Sequence, residues 1–156
     1  MNPTKILNKA EKQEIESRLS EQFGVDSIPG KIIKSGKERL FLFTGDFDEK
    51  DIKSIEKLAF IERLGVYIAR IDEFGEIRLS IEGTQILKNQ ITKNIFSLNS
   101  EQAEQWMKGH ELQIKTGMKG FVAIKYEEDF LGTGKASENK IGNFIPKNRR
   151  LREKTN

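Results

Sequence analysis

Two glycines one residue apart, Gly132 and Gly134, interrupt a stretch that otherwise has the apolar alternation of a strand, residues 120–136. A glycine inside a strand removes a packing side chain and weakens the ladder. A close pair therefore marks a bulge, a barrel corner or a place where another group approaches the backbone. The step Leu131-Gly132-Thr133-Gly134-Lys135 thus rules out a long flat strand and predicts a sharply bent one. Beyond it lie Asn143-Phe144-Ile145-Pro146-Lys147 and a basic tail. From Lys135 to the end there are seven Lys or Arg against two Glu, a net charge of +5 in a chain whose total is +3. The positive charge sits at one end, where a polyanion is the natural partner.

A chain of 156 residues suits one large domain or two small ones packed together. Such a chain buries roughly 70% of its unfolded surface, enough for a core without staples. There is no cysteine, which excludes disulfides, thiolate zinc sites and a cysteine nucleophile. The apolar runs fall well short of the ~20 residues that cross a bilayer, and no signal peptide opens the chain. The simplest expectation is a cytoplasmic protein with no membrane contact.

Hydrophobic spacing predicts a helix over residues 8–23: Ile15, Leu19 and Phe23 recur every fourth position, Asn8 and Glu11 fit a capping box, and Gly24 stops it. Strands follow at 31–34 and 39–44 around Ser35-Gly36-Lys37. A second helix is expected over residues 46–62, with Asp46 or Asp48 as cap and Ile52, Ile55 and Leu58 at helical spacing. Residues 66–71 and 77–81 form a further pair around Asp72-Glu73-Phe74-Gly75. Their neighbouring arginines, Arg70 and Arg78, would extend a basic face. Residues 83–90 fit a short linking helix with Ile86 and Leu87 inward. A short strand within 91–98, a helix from Asn99-Ser100 to Met107, and strands near 111–114, 121–126, 129–136 and 140–145 complete the chain. The class is α+β: a helix-and-antiparallel-sheet unit over 1–88, then a strand-rich unit over 89–156 suited to a small β-barrel.

Enzymatic constellations are weak. His110 is the only histidine and has no cysteine or second histidine beside it, so it reads as a structural or solvent-facing residue. Glu127, Glu128 and Asp129 read as solvated turn charge. The sequence around Gly132 and Gly134 has neither the spacing nor the Ser/Thr of a phosphate-binding loop. No general base, nucleophile, metal site or cofactor site is assigned. Trp106, with Ala103 three residues before it on a helix, reads as core. The glycine step has two compatible readings: a bend alone, or a bend that also lets RNA approach backbone amides beside Lys135. Lys147, Arg149, Arg150 and Arg152 follow Pro146, which stiffens the chain ahead of them. They form either a solvated tail or a rim held near the fold by Phe144-Ile145.

Residues 106–150 carry a resemblance. Trp106-Met107-Lys108-Gly109, Gly120 to Tyr126, the glycine step and Asn143-Phe144-Ile145-Pro146-Lys147-Asn148-Arg149 are similar, in order and spacing, to the C-terminal PUA-like RNA-binding domain of RsmF-type RNA 5-cytosine methyltransferases. Phe130 stands where proline is usual, Thr133 where an aromatic is common and Gly142 where lysine is frequent. The residues ahead resemble, in layout, pre-PUA domains of small ribosome-biogenesis proteins. They show neither cysteine nor a cofactor-binding glycine pattern, so methylation by this chain is not expected. The resemblance implies a stand-alone, non-catalytic protein that docks structured RNA, with ribosomal RNA first and transfer RNA second, during ribosome assembly or on the ribosome. Phosphate would be met by Lys135, Lys140, Lys147, Arg149 and Arg150, with Asn143 alongside and backbone amides near Gly132 and Gly134 fitting the RNA's shape. A ribosomal subunit or an RNA methyltransferase is the implied protein partner. The alternative is an adaptor that brings a separately encoded methyltransferase to its RNA.

Overall fold

The first helix begins where the side chains of Asn8 and Glu11 satisfy each other's backbone N–H groups, at 2.9 and 3.0 Å. In the computed structural model, which describes residues 4–44 and 65–152, this helix, α1, spans Lys9–Phe23. The side chain of Lys5, 2.7 Å away, and the Asn8 N–H together hold the Glu11 carboxyl below the usual carboxylate range. Leu19 and Phe23 point inward and are fully buried, as their spacing requires. Gly24 closes the helix in the left-handed conformation.

Around α1 lies an antiparallel sheet of five strands in sequence order: β1 (Thr4–Ile6), β2 (Lys31–Ser35), β3 (Arg39–Phe43), β4 (Val66–Ile71) and β5 (Ile77–Leu79). The β1 strand is too short for its alternation to be read in sequence. The helix expected over 46–62 lies outside the described residues. Between β4 and β5, Asp72 accepts hydrogen bonds from the N–H groups of Phe74 and Glu76, which fixes the turn.

The strand expected to reach Ile81 ends at Leu79, because Ser80 caps a helix instead. Its hydroxyl oxygen accepts from the Gly83 N–H at 2.9 Å and donates to the Tyr67 carbonyl at 2.7 Å. This helix, α2, spans Ile81–Ile86 and lies so close on β4 that a Cβ at Gly83 would come within 2.2 Å of the Ile68 carbonyl oxygen. Leu87 is buried as expected, whereas Ile86 turns to solvent.

A second sheet follows in the order β6 (Ile95–Ser97), β7 (Gly120–Tyr126), β8 (Asp129–Ala136) and β9 (Ile141–Asn143). The β6–β7 pair is parallel and the other two pairs are antiparallel. Helix α3, Ser100–Met107, lies between β6 and β7 in sequence and starts at an Asn99–Gln102 capping box. The strand expected near 111–114 reduces to one bridge, Leu112 to Ile141. Among the described residues the strands pair in open order, and the end strands β6 and β9 are not joined.

Period-two alternation divides β7 between two cores. Val122 and Ile124 pack with Trp106, Leu98 and Ile141. Phe121 and Ala123 join Leu19, Phe23, Leu40, Ile68 and Leu79 of the first unit. Polar bonds close the same seam. The last carbonyls of α1 accept from the Thr92 N–H at 2.8 Å and the Asn94 side chain at 2.6 Å. The Gln22 amide meets both the N–H and the C=O of Ile77, and the Thr133 hydroxyl donates to the Leu79 carbonyl. The end strand β5 is thereby covered on both sides of Arg78.

Candidate nucleic-acid interface

The glycine step turns inward. Gly132 is buried in the left-handed conformation, φ +88°, and its N–H donates to the Thr84 hydroxyl at 3.1 Å. A Cβ at Gly134 would fall 2.5 Å from Ile141 Cγ2 and 2.7 Å from Trp106 Cη2. The glycines make room for the protein's own packing, and buried Thr133 between them ties β8 to β5. The step reaches the surface at Lys135, whose exposed side chain leaves the strand immediately after it.

The structure distributes the other expected site residues among different tasks. Lys140 pairs with Glu111 at 2.9 Å, and Arg149 pairs with Glu82 at the start of α2. Arg150 donates through Nε to the Ile145 carbonyl at 2.9 Å and packs over Gly109. Asn143 donates to the Trp106 and His110 carbonyls at 2.8 and 3.0 Å and accepts from the Ile145 N–H, which fixes the turn out of β9. Lys147 is exposed at the start of a single 3-10 turn, Lys147–Arg149. The tail is therefore tied to the body as far as Leu151, whose N–H donates to the Met107 carbonyl.

What sequence reading missed is Phe144. Ile145 is buried, and the alternation of an extended segment sends its neighbour the other way, leaving Phe144 37% exposed. The guanidinium carbon of Arg78 lies 4.2 Å from the centre of the Phe144 ring, a close cation–π contact. The ring of Phe121 meets Phe144 edge-on at 6.1 Å, and Lys135 Nζ lies 5.7 Å from the Phe121 centroid. Strand pairing explains the grouping. Arg70 and Arg78 are directly opposite across β4–β5, and Phe121 and Lys135 are directly opposite across β7–β8. Each sheet supplies half of the cluster. Its residues line a cleft of about 240 Å³ together with Asp72. A second cleft of about 200 Å³ adjoins it, between Tyr67, Glu82, Leu131 and Arg149, and shares Arg78 and Phe144.

Rings flanked by cations suit a ligand with both π-faces and phosphates. Acid–base or metal chemistry has less to work with. Among the described residues no group of three or more His, Asp or Glu is arranged to hold a metal ion. His110 is exposed, with its backbone N–H donating to Gln105 and its carbonyl accepting from Asn143. Glu127 and Glu128 form the exposed turn between β7 and β8. Trp106 is wholly buried, as core. No described helix is long and apolar enough to cross a membrane.

Comparison with known proteins finds a match in the C-terminal part of the chain. A family model described as Methyltransferase RsmF PUA domain matches residues 93–151. Three relatives carry the name ribosomal RNA small subunit methyltransferase F. The one from Psychromonas ingrahamii is 29% identical over 136 residues, which is 83% of this chain and 27% of that protein. The Shewanella oneidensis protein is 26% identical over 135 residues, covering 85% of this chain and 27% of its own length. The Vibrio campbellii protein is 33% identical over 92 residues, covering 54% of this chain and 19% of its own. The chain thus spans at most about a quarter of these relatives. The motif order, the α3-to-β9 layout and the family match agree, and residues 93–151 of this chain are similar to the PUA domain of RsmF methyltransferases.

Proposed function

We propose that this protein docks structured RNA without a chemical step of its own. The observation that carries the proposal is the cluster of Arg78, Phe144, Phe121 and Lys135, where cations and rings share one surface at the edge of the PUA domain. Arginine and lysine meet phosphate oxygens, and exposed ring edges meet unstacked bases. Lys147, exposed three residues after Phe144, adds a further cation. The relatives' shared name favours ribosomal RNA of the small subunit as the target, bound during assembly or on the ribosome in the cytoplasm. In this reading residues 1–88 act as a pre-PUA-like unit. The β6–β9 sheet with its Leu112 bridge then stands for a PUA-like barrel over 89–156.

Two measurements test the proposal. Affinity for a small-subunit ribosomal RNA fragment should fall steeply as salt rises, because each neutralised phosphate releases counterion. Crosslinking in cells followed by sequencing should recover mainly ribosomal RNA. Recovery of no RNA, together with salt-insensitive binding in vitro, would end the proposal. A second reading, an adaptor for an RNA methyltransferase, draws support from the relatives' being named methyltransferases. It predicts a protein complex that survives nuclease and high salt.

A further inference from the structure

The face of the first sheet opposite α1 carries a row of like charge. Arg39 on β3 is directly opposite Arg70 on β4, which is directly opposite Arg78 on β5. Side chains that face each other across neighbouring strands share one face of the sheet, and like charges so placed destabilise it. With strands ~4.8 Å apart, the three guanidinium groups start from backbone positions within about 10 Å, one Debye length at 0.1 M salt. Their repulsion is therefore not screened away.

The means by which the row is held indicate what it serves. The guanidinium of Arg39 lies 5.2 Å from the ring centres of both Phe41 and Tyr67, and that of Arg78 lies on Phe144. Among the described residues, the one of the three with a carboxylate partner is Arg70, paired with Glu38, while Asp72 stands at the rim of the cleft beside Arg70 and Arg78. A ring fixes the plane of a guanidinium and leaves its N–H fork unspent, whereas a carboxylate neutralises both charge and donors. Arg39 and Arg70 are exposed, and the row runs into the cleft that also holds Lys135 of β8.

We propose that Arg39, Arg70 and Arg78 form a second phosphate track, so that the RNA backbone crosses from the PUA domain onto the first sheet. The inference rests on the RNA-docking reading and adds the first unit to the interface. Phosphodiester backbone is the occupant because the row combines the planar forks of Arg39 and Arg78, seated on rings, with a line of charge that runs to Lys135. An acidic protein segment is the competing occupant, and the test separates the two.

The full chain carrying Arg39→Gln and Arg70→Gln is compared with one carrying Lys147→Gln and Arg152→Gln. The slope of log affinity against log salt is measured for each on one ribosomal RNA fragment. Each lost phosphate contact should reduce the slope by roughly 0.7 to 0.9. The first variant should therefore lose that much for Arg39 and less for Arg70, whose charge Glu38 already offsets, and polyglutamate should not displace the RNA from the wild type. An unchanged slope in the arginine variant, with a reduced one in the Lys147/Arg152 variant, overturns the track and leaves RNA docking intact. A wild type that binds no RNA overturns both. Displacement by polyglutamate at matched charge assigns the row to a protein instead. Should the Gln variant not fold, Arg39→Lys with Arg70→Lys keeps the charge but not the fork. Weaker binding at an unchanged slope then supports the track, and unchanged affinity overturns it.

Discussion

The segment after Lys135 and the outer face of the first sheet both bring cations toward the seam, and they differ in what holds them. The segment has the larger count of positive charge, yet Lys140 and Arg149 face carboxylates and Arg150 is turned to a backbone carbonyl. The sheet has fewer cations, yet it stacks Arg39 and Arg78 on aromatic rings, which steady a guanidinium without cancelling its charge. Charge counted along a chain therefore overstates the tail and understates the sheet. What a surface offers to a polyanion depends on the partner each cation already has.

The largest effect that would sharpen this contrast is on stability. Arg150→Ala removes a charge-assisted bond to Ile145 and the stem that packs over Gly109, and should cost about 1–2 kcal/mol in denaturant melts. Its RNA salt slope, measured below the melting range, should stay that of the wild type. A slope reduced as far as a freely exposed lysine would reduce it would place Arg150 with the binding cations after all. Phe144→Ala comes next. Without its ring Arg78 loses its seat, and RNA affinity should fall about tenfold, close to 1.4 kcal/mol. The melting temperature should change little, because the ring is partly exposed. Equal losses in affinity and stability would show that the ring is only a packing element.

The division between legible and hidden features follows from the range of the interactions. Local patterns read directly: the Asn8–Glu11 box, the helix cap at Asn99, the Glu127–Glu128 turn and the pairing of Arg70 with Arg78 each depend on residues close in sequence. The resemblance to the RsmF-type PUA domain was legible because its motifs lie within about 45 residues. The role of the glycine step was half visible. Spacing indicated a bend, but that Gly134 yields to Trp106 and Gly132 to Ile81 depends on residues 28 and 51 positions away. Phe144 looked like an anchor for the tail, since nothing nearby in sequence shows that Arg78 will cover it. The pairing of Arg149 with Glu82 joins residues 67 apart, so counting charge could not subtract it.

That pair offers a smaller effect of opposite sign. In Glu82→Gln the Arg149 guanidinium is released from its carboxylate and becomes available to phosphate. Exposed ion pairs contribute about 0–1 kcal/mol, so affinity for RNA should rise about threefold while stability moves by less than that range. The salt slope should steepen by one contact. Weaker binding in this variant would mean that Glu82 positions Arg149 for RNA rather than withholding it.

The smallest difference lies between two lysines seven residues apart. Lys147 has no described ion-pair partner, whereas Lys140 lies 2.9 Å from Glu111. If pairing decides what a cation presents, Lys147→Gln should lower the RNA salt slope by roughly 0.7 to 0.9, and Lys140→Gln by less than half as much. Neither should change stability by more than about 0.5 kcal/mol, because both side chains are exposed. Adding Glu111→Gln to wild type should then bring Lys140 up to the level of Lys147. Equal slopes for the two single variants would break the contrast, because position along the tail, and not the partner held, would then set each cation's contribution.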